Sequence, residues 1–191
     1  MFKNIKLLKK LREDSYKIEY ENDYITENDE AIIYVKSNEK SDIINKYSDG
    51  EDLTLNSELS SYIQQDNPYM DLTKPIVVKF NSEKEYSKED KKEIKQAYRN
   101  YFMKKVSDIN EELYDNFNKN IWLFIVSAIF LMLYILYRII DNIGFGSELI
   151  LIISWVFVWN LTESLVFTRP KLTRQAIKLY KLLNARIEFY N

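Results

Sequence analysis

The chain has 191 residues, a formal net charge of −2, no Cys and no His, and its only glycines are Gly50, Gly144 and Gly146. Those absences remove thiol nucleophiles, disulfides, thiolate or imidazole metal sites and the usual general base. They also leave no clustered glycines to cradle a phosphate, so no catalytic residue, metal ligand or cofactor site is expected; a carboxylate-only metal site or a backbone-based ligand site is the alternative left open.

Residues 1–15 fit a basic amphipathic helix, with Phe2, Ile5, Leu8 and Leu11 on one face. Such a helix either packs on a domain or lies on a membrane. Lys3, Lys6, Lys9 and Lys10 interrupt any apolar core, so no signal peptide is expected. Residues 16–20 alternate apolar and polar, 31–35 form a short apolar run, and 75–80 are rich in β-branched side chains; each predicts a strand. Between them, 41–47 and 56–65 read as short helices, and Asn67 with Pro68 reads as a turn. Residues 1–86 are thus expected to form a small cytoplasmic α+β domain with an antiparallel or mixed sheet.

Ser87 with Asp90 three residues on has the form of a helix start. Ile94, Tyr98, Phe102, Val106, Ile109, Leu113 and Phe117 then recur at spacings of four and three, and neither Gly nor Pro interrupts residues 87–140. A long amphipathic helix over 87–120 is expected to run directly into the apolar stretch that follows. The alternative is a break near 115–120, where Asn is frequent.

Residues 121–140 and 149–167 are the two apolar stretches. Spanning the hydrocarbon core takes about 20 residues of helix, so both read as transmembrane spans, the second strongly apolar only to Trp159; the alternative is a pair of buried helices in a soluble bundle. The short linker makes them antiparallel neighbours, a hairpin over 121–167. Lys104, Lys105 and Lys119 precede the first span, and Arg169, Lys171, Arg174, Lys178 and Lys181 follow the second. Basic residues stay inside, so both termini are expected on the cytoplasmic side of the membrane. Trp122 falls where an interfacial anchor belongs; Trp155 and Trp159 lie deeper and read as packing between helices.

Thr168-Arg169-Pro170 marks a kink or restart. Residues 168–191 then read as a basic cytoplasmic amphipathic helix, with Leu172, Ala176, Leu179, Leu183, Ile187 and Tyr190 on one face. That face is expected against residues 94–117, or else on anionic lipid.

Ionisable residues within spans are costly and usually face a bundle interior or water. Asn160 and Glu163 share a face of the second span, and Ser127, Tyr134 and Arg138 share a stripe of the first. Each charged residue has a bland reading, since Glu163 can reach headgroups and Arg138 can snorkel outward. Glu163 and Arg138 sit at opposite depths, so one hairpin cannot pair them. Several copies around an axis could instead line a pore with Asn160, Glu163, Ser127, Tyr134 and Arg138.

The stretch Trp155, Trp159, Asn160, Glu163, Arg169, Pro170, Lys171, Leu172, followed by residues 184–189, is similar to a group of small bacterial two-span proteins. Lys74-Pro75-Ile76-Val77 before a capped amphipathic helix fits the same pattern. The layout resembles the two-span membrane effectors of bacterial anti-phage systems, such as that of the Hailong system. The resemblance implies a gated pore in the inner membrane, controlled by a nucleotidyltransferase-like partner or by a nucleotide or nucleic-acid ligand. The residues themselves support two roles: an oligomeric channel or pore-forming effector gated by its cytoplasmic domain, and a non-conducting anchor for a cytoplasmic protein partner.

Overall fold

The structure, a computed structural model, describes residues 30–37, 39–65, 74–82, 85–140 and 145–190. The helix expected at 1–15, the strand at 16–20 and the turn at Asn67 and Pro68 lie outside those residues. The chain divides into two compact units, one of them Val106–Ile177 and the other formed by the chain up to Lys105 together with Lys178 onward.

Among the described residues the first unit is built on three strands, β1 (Ala31–Lys36), β2 (Ile76–Asn81) and β3 (Arg186–Tyr190). They pair in the order β1-β2-β3 and both pairings are parallel, with Ile33 opposite Val78 and Val78 opposite Ile187. This corrects the expectation of an antiparallel or mixed sheet. The crossover from β1 to β2 carries the short helix α1 (Lys40–Ile43), a 3-10 turn (Gly50–Asp52) and α2 (Ser57–Gln65). Parallel neighbours need such a crossover. Ala31, Ile32, Ile33 and Val35 of β1 and Ile76, Val77, Val78 and Phe80 of β2 are buried, while Tyr34 is exposed and Lys79 half-buried. Gly50 opens the 3-10 turn at φ +60°, the left-handed region that suits a residue without Cβ.

The longest helix, α3, runs unbroken over Lys88–Ile140, so the break considered near 115–120 is not present. Its start is a reciprocal cap. The Asp90 amide donates to Ser87 Oγ at 3.1 Å, the Ser87 amide donates to Asp90 Oδ2 at 3.2 Å, and the Ser87 hydroxyl donates to the same oxygen at 2.6 Å. Its first turns face the sheet. Ile94, Ala97, Tyr98 and Phe102 are buried against Ile33, Val35, Val78 and Phe80. Burial of each large side chain contributes roughly 1.5–3 kcal/mol.

Beyond α3 the chain forms α4 (Phe145–Glu163), a π-helical turn (Ser164–Thr168) and α5 (Arg169–Leu183). The π-turn stands where a kink was expected. Pro170 has no N–H to donate four residues back, and its ring crowds that carbonyl. The wider turn just before it lets Arg169 donate to Ser164, five residues back.

The end of α5 belongs to the first unit. Leu182 is fully buried, its carbonyl accepts from the Tyr98 hydroxyl at 2.8 Å, and Lys178 donates to the Gln64 carbonyl. The expectation that this helix packs is met in its last turns, but the helix does not reach residue 191. It closes at Leu183, and Ile187 and Tyr190 fall on β3 instead of on a helical face. Phe189 stacks on Phe80 with ring centroids 5.6 Å apart, which joins the last strand to the core. The domain expected over 1–86 is therefore completed by the start of α3 and by the end of the chain.

Candidate functional site

The second unit holds both apolar stretches. α3 and the helix from Gly146 to Leu183 are each long and apolar enough to cross a membrane. Only 6% and 11% of their most apolar stretches is buried. A helix this apolar in the core of a soluble protein would be covered on most sides. Here Ile121, Phe124, Met132, Ile135, Ile152 and Val156 all lie exposed.

What the two helices do bury is a polar seam. Asn116 Nδ2 donates to Ser164 Oγ at 2.9 Å, and Ser154 Oγ donates to the Ser127 carbonyl at 3.3 Å. At the far end, Gly146 lies beside the Tyr137 side chain, close enough that a Cβ there would meet Tyr137 Oη at 3.2 Å. Partner numbers fall on one helix as they rise on the other, so the hairpin is antiparallel, as its short linker predicts. Asn120, Ser127 and Tyr134 recur every seven residues on α3, as do Ser147 and Ser154 on α4. That repeat keeps one seam between two helices. Small residues along it allow the backbones to approach, which drives helix pairing where there is no water to expel. Phe130 and Phe157 stack across the seam at 5.7 Å.

This arrangement redistributes the candidate site residues. Ser127 is buried between the helices, its hydroxyl donating to the Phe124 carbonyl at 2.8 Å, so it does not share an outward stripe with Arg138. The physical reason is the seven-residue repeat, which turns Ser127 inward toward Ser154. Tyr134 is half-buried and its hydroxyl accepts from Arg138 Nη1 at 2.5 Å, one turn away on an exposed position. Asn160 and Glu163 are both exposed, and Asn160 Nδ2 donates back to the Val156 carbonyl at 2.8 Å. The Asn116–Ser164 bond sets the depth of Glu163. It lies within a residue of the Asn116 level, at the end of the apolar band and far from Arg138.

Trp122 is 67% exposed, free to serve as an interfacial anchor. Trp155 and Trp159 are also exposed, at 61% and 69%, which corrects the expectation that they pack between the helices. Ser154 and Phe157 already fill the seam face of α4, and at about 100° per residue Trp155 and Trp159 fall on its other side. Sequence reasoning missed Ser154, Ser164 and Asn116. The signal was present in the seven-residue spacing of Ser147 and Ser154 within an otherwise large-residue helix. The chain matches no family model, and no curated protein or solved structure matches it significantly.

Proposed function

We propose that the protein is a two-span membrane protein of the bacterial inner membrane, with both ends cytoplasmic, whose hairpins assemble into a pore controlled by the first unit. One observation carries this reading: an apolar, uncovered hairpin presents Asn160 and Glu163 outward near one end and Arg138 near the other. Groups of that kind in a lipid-facing position are costly without a partner. Neighbouring copies around an axis would supply partners and water. In that assembly Asn160 and Glu163 ring the inner mouth, Tyr134 and Arg138 the outer half, and Ser127 stays in the seam of each hairpin. The resemblance to anti-phage effectors supplies the context, with a nucleotidyltransferase-like protein or a nucleotide as the controlling partner.

A second reading is a non-conducting anchor for a cytoplasmic protein. It is favoured by the hairpin's satisfying most of its mid-membrane polar groups internally, through Ser127 and Ser154. Reconstitution into planar bilayers separates the two. The pore reading expects discrete conductance that changes in the Glu163→Gln/Arg138→Gln double variant, together with several subunits per particle. A monomeric particle without conductance sinks it.

A further inference from the structure

The first unit carries a feature that the pore reading does not use. β3 is an edge strand and, among the described residues, pairs only with β2. The Ser82 amide donates to the Tyr190 carbonyl at 3.4 Å, so the backbone of Tyr190 faces β2. Successive residues of a strand alternate the side to which their N–H and C=O point. Arg186 and Glu188 therefore face β2 as well, and Ile187 and Phe189 turn their amides and carbonyls to the open side. An unpaired edge of this kind is a template for another strand.

Beside that edge runs a row of cations. Lys91, Lys95 and Arg99 lie at spacings of four on α3, one face of a helix over about 12 Å. Lys91 Nζ and Lys95 Nζ stand 6.0 and 5.8 Å from the Phe189 ring centroid. An open groove of about 720 Å³ is lined by Tyr34, Lys79, Lys91, Lys95 and residues 187–190, with the Glu188 carboxylate held by Lys79 at 3.8 Å and Arg186 at 2.9 Å, and another of about 550 Å³ by Lys95, Arg99 and residues 183–187. The two share Lys95 and Ile187, so they follow one another along the strand. Lys91 lies 3.5 Å from Glu85, whereas Lys95 and Arg99 have no carboxylate partner among the described residues.

We infer that this cleft binds an acidic, extended peptide segment of a partner protein, which adds as a strand to β3 and sets its carboxylates on Lys95 and Arg99. Strand addition draws affinity from main-chain hydrogen bonds and specificity from the flanking side chains. The free edge offers carbonyls as well as amides. A peptide satisfies both, whereas the phosphates of a nucleic acid would bring acceptors against the carbonyls of Ile187 and Phe189. The inference deepens the regulatory half of the preceding reading, by naming the partner's chemistry, and is read without any membrane current.

The test uses the full chain in nanodiscs and a short fluorescein-labelled peptide alternating glutamate and valine, followed by fluorescence anisotropy. Saturable binding is expected, with no binding of the lysine–valine counterpart. Lys95→Glu/Arg99→Glu should weaken it about tenfold or more, since two charge contacts become repulsive. Should that variant melt early, Lys95→Gln/Arg99→Gln replaces it, with a smaller loss expected. Methylating alternate peptide amides should abolish binding in one parity and spare it in the other. Failure of the acidic peptide to bind at millimolar concentration overturns the inference. So does equal binding of both methylated series, or preferential binding of an oligothymidylate. None of these outcomes bears on whether the hairpin conducts.

Discussion

Ser154 shows how much a single side chain decides in the hairpin. It is fully buried in the middle of the apolar part of α4, and its hydroxyl reaches the Ser127 carbonyl. Its hydrogen bond and its size make separate contributions. Interhelical hydrogen bonds in membranes average about 0.6 kcal/mol, because the separated helices also find partners. Overpacking a tight contact costs about 1–3 kcal/mol. Ser154→Ala should therefore cost little, and Ser154→Leu clearly more, when hairpin unfolding is titrated with SDS in bicelles. Equal losses would mean that the bond, not the close approach, holds the seam.

At the scale of elements, the start of α3 is the clearest case of sequence acting locally. The hydrogen bond from Ser87 is the main influence holding the Asp90 carboxyl below the usual carboxylate range, opposed in part by desolvation. A carboxyl depressed in the folded state adds stability above its unfolded pKa, and that stability is lost as pH falls through the folded value. Ser87→Ala should cost about 1 kcal/mol near neutral pH, the usual worth of a cap. The gap in melting temperature between wild type and variant should narrow in acid, once Asp90 is protonated in both. Thermal melts at neutral pH and well below the carboxylate range check this; a constant gap would assign the loss to the Ser87 hydroxyl's bond from the Asp90 amide and not to the carboxylate.

At the scale of the molecule, β3 follows α5 in sequence yet pairs with β2, more than a hundred positions earlier. The whole of Val106–Ile177 is in effect an insertion between two neighbouring strands of one sheet. A chain ending after Leu183 should lose Phe189 from the face of Phe80 and leave one side of β2 unpaired. Limited proteolysis of such a truncation should show the first unit losing its resistance, with the protein still sedimenting with membranes. Retained resistance would mean that the sheet is complete without its last strand.

Much of this was legible in the residues because it is settled locally. The two apolar stretches, the cap at Ser87 and the unbroken run to Ile140 follow from length, spacing and the absence of Gly and Pro, which act within a few turns of chain. The parallel sheet was half legible: the apolar starts of β1 and β2, Ala31 to Ile33 and Ile76 to Val78, signal burial on both faces there, but the direction of pairing depends on where the crossover returns. β3 was not legible as a strand. Ile187 and Tyr190 continue the helical spacing of Leu179 and Leu183, and five residues carry too little periodicity to tell helix from strand. The open edge of β2 and the Phe80 ring decide it. Likewise, the sequence alone determined that polar residues lie within the apolar helices. Only the tertiary structure decided that Ser127 turns inward to Ser154 while Asn160, Glu163 and both deeper tryptophans turn out, because which face of a helix becomes a seam is set by the partner it packs against.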